Sequence, residues 1–192
     1  MKKLIGRKKT KTAIFISGTG SNLKNLIKFS KKKKSPISVD LIISNTYNAK
    51  GLKYSRKYNI PKKVISFKNN KLAEKKIFNF LLVKKIKFIC LAGFMKILSK
   101  NFIKKFKGKI INIHPSLLPK YKGLNTHKKA IENNDKFAGC SVHYVTAKVD
   151  SGEIILQKKV KIKKKDTVDS LAKKVLKKEH LIYTAAIKKI YN

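Results

Sequence analysis

Acidic residues, arginine, cysteine and long apolar runs are all scarce in this chain. Nine Asp and Glu stand against 49 Lys and Arg in 192 residues, a net charge of +40, with a pI near 10.3. Such a surface first suggests a nucleic-acid partner. The scarcity of arginine argues against a specific one. Arg7 and Arg56 are the only arginines, so 47 of the basic residues are lysine. Lysine lacks the planar fork that reads guanine or phosphate bidentately. The lysines are spread along the whole chain beside abundant Ile and Asn, as a composition bias acting on tolerant surface positions would leave them. Charge alone predicts non-specific RNA affinity at low salt.

Cys90 and Cys140 have neither metal-ligand nor disulfide spacing. Both sit in apolar stretches and read as small buried hydrophobes, which suits a reducing cytoplasm. The densest apolar stretch, residues 88–95, is far too short to span a membrane. The apolar run near the N-terminus, residues 13–16, is too short for a signal peptide. A soluble, cytoplasmic chain is therefore expected.

What remains is ordinary for a globular protein. Hydrophobic residues make up 42% of the chain, enough to fill the core of one domain. Residues 1–11 read as a basic arm and 12–192 as a single domain, with no internal repeat and no linker. Strand and helix alternate through the first half. Strands are expected at 12–17, 37–44, 63–67, 88–92 and 109–113. Helices are expected after residue 22 and near 51–58, 69–84 and 100–106. In the 69–84 helix, Leu72, Ile77, Phe80 and Leu81 form the apolar stripe. The alternation predicts an α/β fold, a doubly wound and mostly parallel sheet flanked by helices. Further on, a helix at 126–133 precedes two alternating strands, 138–145 and 153–160, which read as an antiparallel addition. A long final helix covers 168–190. Its stripe of Val168, Leu171, Ala172, Val175, Ile182, Ala186 and Ile190 also carries Glu179, so that carboxylate must be paired or serve as a polar ligand group.

Two stretches carry chemistry. The first is Gly18-Thr19-Gly20-Ser21-Asn22, between the first strand and its helix. Such a turn offers backbone N–H groups and a helix dipole to an anion. The third glycine of a dinucleotide fingerprint is missing, as is the Gly-Lys-Ser/Thr of a Walker loop, so a phosphate monoester suits it better. A side chain at Gly20 is expected to crowd those N–H groups. The second stretch is the strand ending in Ile111-Asn112-Ile113-His114. Alternation puts Asn112 and His114 on one face, and Pro115 and Pro119 end the regular structure there. Ligands of open α/β sheets bind at such strand ends. Asp150, in the turn Asp-Ser-Gly-Glu, completes a potential Asn/His/Asp set. Each also has a structural use: Asp150 capping a turn, His114 bonded to backbone, Asn112 closing a loop. His143 reads as a support for the region.

The motifs ISGTGSNL at 16–23, LAGFMKILS at 91–99, INIHPSLLPKYKGLNTH at 111–127 and SVHYVTAKVDSGEIILQKKV at 141–160 resemble the phosphoribosylglycinamide formyltransferases. These are folate-dependent enzymes of purine synthesis. The likeness runs from about residue 13 to about residue 190 in the family's order. It implies formyl transfer from 10-formyltetrahydrofolate to the amine of glycinamide ribonucleotide, without metal, by a monomer or weak homodimer. It implies catalytic roles for Asn112, His114 and Asp150. Gly20, Ser21 and Asn22 match the family's phosphate loop. Gly93 and Pro115 match backbone contacts to the substrate, and Glu179 matches the acid at its ribose. Met95, Lys96, Ile97 and Leu98, with Asn112, Thr146 and Val149, match the folate pocket. Thr19 stands where the family commonly has Asn, Lys96 where it has Arg, and neither Asn70 nor Lys71 supplies a further Arg of the folate site.

In this reading Asn112 and a cationic His114 donate to the oxygen that gains charge when an amine attacks a formyl group. An isolated histidine is mostly neutral at pH 7, and Asp150 is expected to raise the pKa of His114 and to hold a water that relays the proton. Two alternatives remain at this level. One is another folate-dependent formyltransferase of the same fold, such as the enzyme acting on methionyl-tRNA, which has an added C-terminal domain. The other is a non-catalytic RNA-binding protein.

Overall fold

The computed structural model describes residues 8–192. Seven strands form one sheet in the order β3-β2-β1-β4-β5-β6-β7. They are β1 (Thr10–Ile16), β2 (Ile37–Ser44), β3 (Lys62–Val64), β4 (Phe88–Leu91), β5 (Lys109–His114), β6 (Phe137–Tyr144) and β7 (Ile154–Lys161). Pairing is parallel from β3 across to β5, and antiparallel for β5–β6 and β6–β7. The first strand takes in Thr10 and Lys11, which the sequence pattern had put in the basic arm. Residues 1–7 of that arm lie outside the described residues. Among the described residues, five α-helices connect the strands, α1 (Ser21–Ser30), α2 (Lys53–Tyr58), α3 (Asn70–Val83), α4 (Lys100–Lys105) and α5 (Thr126–Glu132), and α6 (Val168–Tyr191) follows β7.

The central strands are apolar throughout because both faces are covered. Successive residues of β4 go to opposite sides. Phe88 and Cys90 join one core with α1 and α6, while Ile89 and Leu91 join another with α3 and α4. Tyr183 of α6 is fully buried, and its hydroxyl donates to the Leu91 carbonyl at 2.8 Å. Its apolar ring fills the core while its one polar atom finds a partner. Cys90 and Cys140 are buried and unpaired, and burial pushes the Cys140 thiol up to about 12.

Two expected stripe residues face outward. Leu72 is 49% exposed, because the buried row of α3 is Ala73, Ile77 and Leu81. These stand four residues apart, and Leu72 lies about 100° round the helix from Ala73. Val168 is also exposed and lines the main cavity instead of the core. β3 ends at Val64, three residues earlier than expected, since Ile65 and Phe67 turn into the second core. Lysine ammonium groups sit over partly buried rings, Lys63 Nζ 4.6 Å from the centre of Phe80 and Lys105 Nζ 4.7 Å from that of Phe78.

The chain runs from β1 outward to β3, then returns to β4 on the other side of β1. The carboxyl ends of β1 and β4 therefore flank the crevice where such sheets bind ligands.

Candidate active site

β5 delivers two polar side chains to that crevice. Ile111 and Ile113 enter the core shared with α6, and alternation turns Asn112 and His114 the other way. Register adds a third group. Asn112 pairs directly with His143 of β6, and side chains opposite one another share a face. The Asn112 Nδ2 lies 3.2 Å from His143 Nε2. His143 thus stands within hydrogen-bond reach of Asn112 and lines the same cavity. The sequence gives no register between β5 and β6, so this contact could not be read from it.

Asp150 closes the group from the turn before β7. Its carboxylate accepts from the Gly123 N–H at 2.9 Å. It lies 3.3 Å from His114 Nδ1 and 3.5 Å from His143 Nε2, with Asn112 Nδ2 at 3.5 Å. Asp150 adopts a left-handed backbone, φ 45°, a conformation that Asp tolerates better than most residues. Two residues on, Gly152 makes the close return possible: a Cβ there would sit 1.8 Å from the Tyr144 carbonyl oxygen.

The partners fix the protons. His143 Nδ1 faces the Tyr144 carbonyl at 2.8 Å, and His114 Nε2 faces the Tyr121 carbonyl at 2.8 Å. A carbonyl only accepts, so each of these nitrogens carries hydrogen. The nitrogen of His114 left for the site is Nδ1. Burial lowers the pKa of His114 below the ordinary value, and the Tyr121 carbonyl and Asp150 only partly offset it. Asp150 thus favours the charged ring, as expected, but with 6% of the residue exposed desolvation is the larger effect and leaves the pKa of His114 below the ordinary value. Burial opposes ionisation of Asp150 too. Even so, the His143 contact and the Gly123 N–H, helped by the histidines whenever they are protonated, hold its carboxyl below the usual range.

Across the crevice stands the N-terminus of α1. Gly20 is its N-cap, in the left-handed region with φ 75°, and no side chain caps the helix. Its first N–H groups are therefore free for an anion. Asn22 is buried and donates from Nδ2 to Glu179 Oε2 at 2.6 Å, which joins residues 157 apart. The Glu179 pKa is raised, first by burial, with the Asn22 bond pulling the other way. The partner of the buried carboxylate is thus an amide, not one of the many lysines. A side chain at Gly20 would also meet the backbone of a neighbouring turn. Its Cβ would sit 2.6 Å from the Gly51 Cα. Gly20→Val should therefore destabilise the fold by on the order of 2–4 kcal/mol, from left-handed strain plus overpacking. A urea unfolding midpoint measures this, and an unchanged midpoint would contradict it.

These groups share one cavity of about 840 Å³, within the range of small-molecule sites. Of the residues assigned catalytic or binding roles from the resemblance, all but Gly20 and Ser21 line it. Its outer wall is apolar: Met95 and Ile97 are more than half exposed, and Val149 and Val168 nearly so. His127 and Leu124 also line it. Nothing in their spacing marks them: Leu124 lies in the irregular loop after β5 and His127 in the first turn of α5. Among the described residues, no group of three or more His, Cys, Asp or Glu could hold a metal ion, and no helix is long and apolar enough to cross a membrane.

Residues 10–187 match the family described as formyl transferase. The chain belongs to this family. It is 43% identical over 184 residues to the human trifunctional purine biosynthetic protein adenosine-3, covering 94% of this chain but 18% of that protein. It is 41% identical over 181 residues to the phosphoribosylglycinamide formyltransferase of Haemophilus influenzae, covering 93% of this chain and 85% of that enzyme. The crystal structure of the phosphoribosylglycinamide formyltransferase of Brucella melitensis superposes with a TM-score of 0.90 at 40% identity, covering 95% of this chain and 96% of that one.

The apolar wall of this formyl transferase is pinned at both ends. Ser17, after β1, accepts from the Met95 N–H at 2.7 Å and donates to Asn45. Past Leu98, the Ser99 N–H donates to the buried Glu74 of α3 at 2.6 Å. The Ser99 hydroxyl donates to the same carboxylate while it caps α4. Glu74→Ala removes the acceptor of both the Ser99 N–H and its hydroxyl; Ser99 itself is exposed, so water can replace part of what is lost, and the change should cost about 1 kcal/mol and loosen the wall. The expected readout is a lower Tm and a weaker binding of flat aromatic ligands; an unchanged Tm would show that the bonds contribute nothing.

Proposed function

We propose that this formyl transferase moves a formyl group from 10-formyltetrahydrofolate to the amine of glycinamide ribonucleotide, a step of purine synthesis. The observation that carries the reading is the convergence of Asn112, His114 and Asp150 on one cavity wall, opposite the free N-terminus of α1 and the Asn22–Glu179 pair. The relatives that match most of this chain's length are named phosphoribosylglycinamide formyltransferase, which supports the same formyl acceptor.

Each end of the cavity has a task in this scheme. The N–H groups of Ser21 and its neighbours bind the phosphate, helped by the positive end of α1. Glu179 accepts from the ribose hydroxyls, and the backbone at Gly93 and Pro115 holds the amine end. Met95, Lys96, Ile97, Leu98, Thr146 and Val149 hold the folate, whose apolar ring system fits the exposed apolar wall. The folate supplies the formyl group. Asn112 Nδ2 and a protonated His114 Nδ1 donate to the carbonyl oxygen as it gains negative charge. An anion in the cavity favours the protonated ring and raises a pKa that burial has lowered. As the new carbon–nitrogen bond forms, Asp150 takes the proton leaving the amine, directly or through a water, and returns it to the folate nitrogen as the bond between that nitrogen and the formyl carbon breaks. No covalent enzyme intermediate is needed. The net charge of +40 draws both anionic substrates toward the cavity.

Glu179→Gln separates the binding role from the structural one. It keeps an acceptor for Asn22 and removes the buried charge. Because the folded pKa of Glu179 is raised, its ionisation costs stability that is intact below the unfolded pKa and lost as pH rises. Glu179→Gln should therefore raise Tm at pH 8 while raising KM for glycinamide ribonucleotide roughly 10- to 100-fold, the scale of a hydrogen bond to a charged group. An unchanged KM would remove Glu179 from the substrate site. The reading as a whole is tested by comparing glycinamide ribonucleotide with its unphosphorylated form and with methionyl-tRNA as formyl acceptors. Turnover confined to the phosphorylated small molecule supports it; turnover of methionyl-tRNA overturns it.

A further inference from the structure

Asp135 lies outside the site just described, in the turn after α5, yet it grips the loop that holds His114. Its carboxylate accepts from the Tyr121 hydroxyl at 2.9 Å and from Lys120 Nζ at 3.0 Å. Tyr121 sits in the left-handed region, φ 53°, at a cost that its surroundings must offset. Its carbonyl in turn is the acceptor of His114 Nε2–H at 2.8 Å. The side-chain tether and the backbone acceptor thus belong to one strained residue. We infer that Asp135 is a positioning residue for His114: through Tyr121 it fixes which ring nitrogen carries the permanent proton and leaves Nδ1 to the reaction. This goes beyond the proposed function and rests on it only for the kinetic readout.

The tether predicts a change at His114 from substitutions that never touch it. The other groups facing His114 are Asp150 and His143, with His127 on α5 near enough to feel its charge. None of these is altered by changes at Asp135 or at the Tyr121 hydroxyl. The Tyr121 carbonyl favours the cationic ring, so freeing it should lower the His114 pKa further.

The experiment is an NMR titration of the four histidines in the ligand-free chain, with kcat and KM measured alongside. Tyr121→Phe and Asp135→Ala should each move the His114 midpoint to lower pH. Each should also lower kcat about 5- to 30-fold, the range for residues acting through others, with KM for the phosphorylated substrate within about twofold. Asp135→Asn keeps an acceptor for the Tyr121 hydroxyl and should stay near wild type in both. An unmoved His114 midpoint in Tyr121→Phe overturns the inference, whatever happens to Tm. So does a shift in Asp135→Asn as large as in Asp135→Ala, since charge and not the tether would then be acting. The titration needs no substrate, so an inactive wild type would count against the proposed function and leave this test standing.

Discussion

His114→Ala should lower kcat for formyl transfer by roughly 10²–10³ or more, the scale for losing one donor to a developing oxyanion. Asn112→Ala should cost a similar factor. The sheet should survive both changes, because β5 is held in the core by Ile111 and Ile113 on its other face. The two variants should differ in detail. Asn112 donates toward His143 and Asp150, so its loss leaves those acceptors facing one another without a bridging N–H. His114 ties the Tyr121 carbonyl, so its loss also frees the loop after β5. KM for the phosphorylated substrate should rise more in His114→Ala than in Asn112→Ala. Near wild-type turnover in either variant, at equal folded fraction by circular dichroism, would contradict an electrostatic role for that side chain.

Asp150→Asn should reduce turnover at neutral pH by about 10²-fold or more, with a pH dependence that identifies the cause. Asn tolerates the left-handed backbone of this position as Asp does, so shape is kept and charge removed. The Asp150 carboxylate raises the His114 pKa against burial. Without it that pKa falls further, and the new amide can donate to the lone pair on Nδ1, which again favours the neutral ring. Activity should partly recover toward lower pH, where the ring reprotonates, until the substrate amine is itself too protonated to attack. One pKa unit corresponds to about 1.4 kcal/mol, so the shift is measurable by imidazole NMR. Asp150→Ala also loses the acceptor for the Gly123 N–H and should be the worse of the two. A purely structural Asp150 predicts the opposite pattern: lower Tm in both variants and an unmoved His114 titration.

The fold was legible wherever one local period decided it. Parallel strands buried on both faces show as continuous apolar runs, which located β1, β2 and β4 within two residues. The crossover helices show by spacing alone. Asn112 and His114 were legible because alternation and a following proline fix both direction and strand end. Properties that depend on what packs against what were not. His143 enters the site through register with β5, which is set by the tertiary fold. Glu179 shows as a buried carboxylate on a stripe, but its partner lies 157 residues away. Tyr183 escaped the apolar stripe because its hydroxyl makes it read as polar, until the Leu91 carbonyl gives that hydroxyl a partner. The burial that opposes a charge on His114 is not legible for the same reason. Distance to Asp150 can be guessed from motifs, but desolvation follows only from burial in three dimensions.

The most direct measurement is steady-state formyl transfer by the purified full chain, with glycinamide ribonucleotide and a 10-formyl folate as substrates, following both products. The expected result is equimolar formylated ribonucleotide and deformylated folate, with no added metal and with turnover abolished to background in an Asn112→Ala/His114→Ala double variant. Absence of transfer at saturating concentrations of both substrates, or transfer that persists in the double variant, would contradict the role assigned to this site.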